Sequence, residues 1–306
     1  MVRLAALVVL LGLSLAGQDS KTIDFSTSRG STRYYVVFAA RNDTRTGHAF
    51  VIWGVEDDRK RRSTIKAMGL YPEYQEDDWK SVVRLVPGTI VDEQINHSLS
   101  SIAGELILKV DAAAYQESLK TASVWECKHE FAVLRRDCVE FLRDVGTSLG
   151  LDMPRRMAAG ATPHAYVQAL LAGVSMGKRD FGEAMYEGSL LEGRPTGHGM
   201  LSSGSFEISG TFWGLEHQVG EGWISDEERI FRYEGDIVDY QPHGRGTIQR
   251  YESVDGPREV RPILSGRFEN GLLRTVIRRF ERDVVPDIGF DATPAALWKL
   301  ARHPEP

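Results

Sequence analysis

YEGSLLEGRPTGHGM (residues 186–200), GTFWGLEHQVGEGW (210–223) and YEGDIVDYQPHGRGTI (233–248) are versions of one phrase. The phrase is framed by an apolar residue, a polar residue and glycine: Tyr186-Glu187-Gly188, Ile208-Ser209-Gly210, Tyr233-Glu234-Gly235 and Leu264-Ser265-Gly266. A Gly-x-Gly follows each of the first three, at Gly197 and Gly199, Gly220 and Gly222, and Gly244 and Gly246. The framing glycines stand 22, 25 and 31 residues apart, and aromatic residues recur beside them at Phe206, Phe212, Phe231 and Phe268. Of the 30 glycines in the chain, 16 fall between Gly182 and Gly271, so the phrase also marks a change of composition. Self-similarity of this kind predicts one supersecondary unit copied with loop insertions. Glycine allows tight turns and close backbone approach between successive hairpins, and each aromatic residue packs on its neighbour.

These units resemble MORN repeats, the membrane occupation and recognition nexus family, over about 90 residues, with three fairly complete copies and a truncated fourth at Ser265 to Gly271. The resemblance implies an all-β row of hairpins over residues 182–272, followed by a tail over 273–306. It also implies a protein or membrane-lipid partner, or a purely structural scaffold.

Outward from the repeats, the 306-residue chain is 42% hydrophobic and 26% charged, which is the composition of a soluble globular protein of one or two domains. A net charge of −6 argues against nonspecific binding to nucleic acid, which needs a broad basic surface. Two cysteines cannot by themselves build a disulfide scaffold or a Cys-rich zinc site. Neither a phosphate-binding glycine loop nor metal-ligand spacing is present, so no cofactor or metal is expected. Residues 1–17 pair Arg3 with an apolar run from Leu4 to Leu15 and the small residues Ser14, Ala16 and Gly17. That run is too short to cross a bilayer comfortably and predicts a removable secretory signal, hence an exported protein, periplasmic or extracellular.

Residues 21–176 read as a mixed α and β domain. YYVVFAA (34–40) and HAFVIWG (48–54) are β-branched and aromatic runs bounded by turn residues, with 63–70 as a returning hairpin partner. GELILKV (104–110) and FAVLR (131–135) add strands, and helices are predicted over 111–125, 138–149 and 163–171. Arg59-Lys60-Arg61-Arg62 reads as a solvated turn. Arg274, Arg278, Arg279 and Arg282 around Val276, Ile277 and Phe280 read as a stretch packed on the last repeat or touching a membrane surface.

The chemistry centres on Cys138. Asp137 with Glu140 three residues on forms a capping-box-like pair, which makes Cys138 the first residue of a helix. Cys138, Leu142, Val145 and Leu149 then share one face, so the thiol points toward the sheet beside the positive end of the helix. Such a place favours the nucleophilic thiolate, while the Asp137 carboxylate opposes it. Three readings stand: a nucleophile, a small core residue, or a disulfide with Cys127. A nucleophile needs a base, and among eight histidines His48, at the start of a buried strand, is best placed. His164, opening a helix in the same domain, competes, as do His97 and His129 beside polar loops.

The order of these parts resembles the circularly permuted branch of the NlpC-type papain-like superfamily, to which lecithin retinol acyltransferase-like proteins also belong. GHAFVIWG with His48, MGLYPE (68–73), VPGTIVDE (86–93) and RRDCVEFLRDVGTSLGLDMP (135–154) carry the resemblance, across roughly residues 34–171. It implies an α+β papain-like domain followed by the all-β array of MORN-type hairpins. Catalysis would rest on Cys138 as nucleophile and His48 as base, acting on an acyl, peptide or cell-wall substrate. The group that orients the histidine is not placed by the sequence; Thr64 and Lys66 are nearest by location. The expected function is thus an exported cysteine hydrolase or acyltransferase with repeats for partner or envelope targeting. The rival is a noncatalytic binding or scaffold protein.

Overall fold

The computed structural model describes residues 19–27, 33–41, 47–74, 80–82, 84–96, 99–156, 162–225, 231–251 and 260–280. The leader expected over 1–17, and His97, Arg282 and His303, lie outside them.

The expected α+β papain-like domain is overturned. Among the described residues strand dominates, 59% against 21% helix, organised as two large sheets of seven and nine strands with four α-helices. In chain order the first part contains β1 (Asp19–Asp24), β2 (Arg33–Arg41), β3 (His48–Glu56), β4 (Arg62–Pro72) and β5 (Val86–Asp92). It continues with α1 (Glu93–Asn96), β6 (Ile102–Val110), α2 (Ala112–Glu126), β7 (Glu130–Phe131), α3 (Cys138–Ser148) and α4 (Pro163–Gly173). The first sheet has the order β1-β6-β2-β3-β4-β5-β7. Two segments not read as strands enlarge it: β1 pairs parallel with β6, and β5 pairs antiparallel with β4. FAVLR, read as a strand, stops pairing after Phe131. Ala132 bridges only to Arg136, and between them Leu134 turns with φ 66° while its N–H donates to Asp137 Oδ2. The Asp137 carboxylate thus ends the strand and starts α3.

Both faces of the central strands β2 and β3 are buried, which explains their nearly continuous apolar runs. Val36, Phe38, Val51, Trp53 and Leu108 pack against α2, α3 and α4. The alternate residues Tyr35, Val37, Phe50, Ile52 and Ile107 form a second cluster with Leu99 and Ile102.

The second sheet is a meander in strict chain order: β8 (Val174–Asp180), β9 (Met185–Leu191), β10 (Arg194–Ser202), β11 (Phe206–Trp213), β12 (His217–Ser225), β13 (Phe231–Val238), β14 (Gln241–Tyr251), β15 (Val260–Glu269) and β16 (Leu272–Arg279). Its glycines are aligned by the register. Gly188 faces Gly199, which faces Gly210, and farther along Gly222, Gly235, Gly246 and Gly266 stand opposite one another in turn. The framing tyrosines account for two of these positions. A methyl at Gly199 would run into the Tyr186 ring, and one at Gly246 into the Tyr233 ring. Each ring then meets a phenylalanine edge-on, Tyr186 with Phe212 at 5.2 Å and Tyr233 with Phe268 at 4.8 Å between centroids. The sheet begins at Val174, inside the segment assigned to the first domain, and β16 takes up the start of the tail. In β16 Ile277 is exposed, as are Arg274, Arg278 and Arg279.

Candidate active site

α3 opens as its sequence requires. Asp137 is its N-cap, and its Oδ1 accepts from Val139 N at 3.0 Å and Glu140 N at 3.3 Å. The expected box is only half formed, because Glu140 turns to Arg143 at 2.7 Å. Asp137 is buried, and its charge is met by a guanidinium: Arg156 pairs with the same carboxylate. The charge that opposes a thiolate at Cys138 therefore carries its own counter-ion, one the sequence did not reveal.

Cys138 is the first residue of α3 and 5% exposed. β2 and β3 stay paired as far as Arg41 and His48, whereas the β3–β4 register ends at Val51 and Met68. Beyond that point the thiol lies against the start of β3 and accepts a hydrogen bond from the Ala49 backbone N–H. Burial first, then the Asp137 charge, pushes the thiol up to about 12, against the opposing pull of the Ala49 N–H and Arg156. Cys138 and Cys127 are both free thiols, the second exposed at the end of α2, so the structure holds no bridge between them.

His48 opens β3 immediately after Gly47, whose φ of 71° suits glycine. Its ring stacks on Tyr71 at 3.9 Å, and its Nε2 stands 3.1 Å from Oε1 of Glu93. Glu93 is wholly buried, at 0% exposed, where β5 passes into α1. Its Oε1 also accepts from the Tyr71 hydroxyl at 2.9 Å, and its Oε2 is 2.7 Å from Nη1 of the buried Arg41. Burial raises the Glu93 carboxyl, but His48, Arg41 and Tyr71 together outweigh it and hold the group below the ordinary carboxylate range. Tyr71 is driven upward by burial and by the Glu93 charge, and the nearby Cys138 adds to that shift. An ionised carboxylate can only accept, so the His48 Nε2 that faces Glu93 carries a proton. Gly69 makes the packing possible: a methyl there would strike Glu93 Oε1 and His48 Nε2.

The structure thus brings Cys138 and the start of His48's strand together, and adds Glu93, Tyr71 and Arg41, to which the sequence reading gave no role. Glu93 takes the orienting position for which Thr64 and Lys66 were the nearest candidates; Lys66 instead pairs with Glu126 at 3.0 Å. Two of the three lay within quoted motifs, Tyr71 in MGLYPE and Glu93 in VPGTIVDE, but nothing local links residues 22 and 45 positions from their partners. His164 opens α4 against Gly47, while His198, His217 and His243 lie in the meander strands. Among the described residues no three His, Cys, Asp or Glu side chains gather as a metal site would need. No protein-family model, curated protein or solved structure matches the chain.

Proposed function

We propose that this is an exported thiol hydrolase acting on an amide, peptide or ester acyl group, with the MORN-type meander supplying partner or envelope contacts. The observation that carries the reading is the buried Arg41–Glu93–His48 chain, which ends one residue before Ala49, whose backbone N–H meets the Cys138 thiol. An ionised carboxylate without access to water is costly unless it is paired and hydrogen-bonded. Here its pairing fixes the ring and tautomer of one histidine, as a general base requires.

In the first step His48 Nδ1 takes the thiol proton while Sγ bonds to the acyl carbon, and Glu93 stabilises the imidazolium. The leaving amine or alcohol departs with that proton, leaving a thioester. Water then attacks the thioester, His48 accepts a proton from it, and the acid is released as the proton returns to sulfur. The N–H groups of Cys138 and Ala49, both directed at the thiol, are the available donors for the oxyanion.

The test is acylation by p-nitrophenyl acetate, followed by acid quench and peptide mapping. The expected result is a thioester on Cys138, absent in His48→Ala and slowed at least ~100-fold in Glu93→Gln. No adduct at Cys138, or the same adduct in His48→Ala, would retire the enzyme. The second reading, a noncatalytic binding protein, is favoured by the burial and high pKa of the thiol. It expects Cys138→Ser to leave every biological effect intact.

A further inference from the structure

The chain folds back along α3 after leaving it. Leu151 N donates to Gly146 O at 3.1 Å, Met153 packs on Gly146, and Arg156 reaches the N-cap, Asp137. Met153 is held extended by the proline that follows it, and burial alternates, with Asp152 exposed between Leu151 and Met153. A helix of 11 residues is about 16 Å long, and six extended residues cover that distance. The return therefore delivers a guanidinium to the end of α3 that carries the thiol.

Capping alone does not call for this cation. Asparagine caps a helix as well as aspartate does, and the N–H groups of Val139, Glu140 and Leu134 already engage both oxygens of Asp137. The guanidinium answers the charge instead. Asp137 is 3% and Arg156 6% exposed, so their charges act through protein and not through water. Neighbouring carboxylates are drawn elsewhere, Glu140 to Arg143 and Glu93 to Arg41 and His48. At the thiol itself Asp137 opposes ionisation and Arg156 favours it.

We propose that Arg156 is a positioning residue for the thiol chemistry: by holding the Asp137 charge, it lets an acidic cap stand beside a nucleophile. The inference rests on the hydrolase reading above, in which Cys138 gives up its proton. A side chain 19 positions beyond Asp137 thus governs how readily the sulfur ionises.

The test is the rate of iodoacetamide labelling at Cys138 in the full chain at pH 8, with the exposed Cys127 as internal standard. Only the thiolate reacts. Arg156→Met leaves the Asp137 charge unanswered: about tenfold less thiolate, partly offset by its greater nucleophilicity, slows labelling roughly threefold. Asp137→Asn leaves the cation unopposed and speeds labelling by a similar factor. The double variant, with both charges gone, returns to about the wild-type rate, and Arg156→Lys stays within about twofold of it. A loosened fold would instead speed all of them, so the signs separate charge from packing. Equal or faster labelling in Arg156→Met overturns the proposal, as does a double variant as slow as Arg156→Met. If Arg156→Met does not fold, equal rates in Asp137→Asn and the double variant overturn it. The expected order of rates without a thioester from p-nitrophenyl acetate would retire the hydrolase and leave the control of the thiol by Arg156 standing.

Discussion

In the seven-stranded sheet, β2 and β3 are apolar on both faces and filled with Val, Ile, Phe and Trp; in the nine-stranded sheet glycine lies opposite glycine and tyrosine covers the gap. The first sheet can bury charge, because side chains from β2, β3, β4 and the β5–α1 junction converge at one end, where Arg41, His48, Tyr71 and Glu93 meet. The second buries hydroxyls on backbone instead: Tyr186 donates to Ser189 O at 3.0 Å, and Tyr233 to Asp236 O at 2.7 Å. Burial raises both phenols, which keeps them as donors. A sheet assembled from distant strands can place chemistry at their convergence, whereas a repeated hairpin offers a periodic surface.

The sharpest break of this comparison is Arg41→Met. It strands Glu93 without its cation and should cost about 3–5 kcal/mol in urea unfolding, with much of the loss recovered when Glu93→Leu is added. In the other sheet Gly246→Ala forces a methyl against the Tyr233 ring and should cost about 1–3 kcal/mol by the same assay. A loss below ~0.5 kcal/mol there would show that the tyrosines do not require the glycine row.

The pH dependence sharpens the contrast. Glu93's folded pKa lies below its unfolded value, so its contribution is fully present above the unfolded pKa and lost as pH falls through the folded one. Glu93→Gln should therefore flatten the decline of stability below about pH 4.5, whatever its cost at neutral pH. Parallel acid titrations of the two proteins would break this assignment if their slopes matched. The smallest effect belongs to the seam between the sheets. Half-buried Arg194 touches the exposed Asp152 and Glu216, and Arg194→Ala should change the melting free energy by no more than ~1 kcal/mol.

The meander was the more legible half because each glycine's requirement repeats at nearly fixed spacing and is satisfied by the adjacent strand. In the first half the central strands and α2, α3 and α4 could be read from local runs and caps, yet the fold class could not. VPGTIVD carries proline and glycine, and DSKTID is polar, so each becomes a strand only through its partner. Cys138 and His48 were visible as types in suggestive places. Glu93 was not, because a buried acid is identifiable only once Arg41, His48 and Tyr71 surround it.

β1 has a consequence for how the chain is made. It leaves the ribosome before every other described strand, yet its one sheet partner among the described strands, β6, follows 85 residues later, as in the pairing of Asp19 with Gly104. Each meander strand from β9 onward finds its first neighbour within a single hairpin. Non-local pairing is slow, so during synthesis β1 stays an unclaimed edge until β6 arrives, while the meander zips up as it emerges.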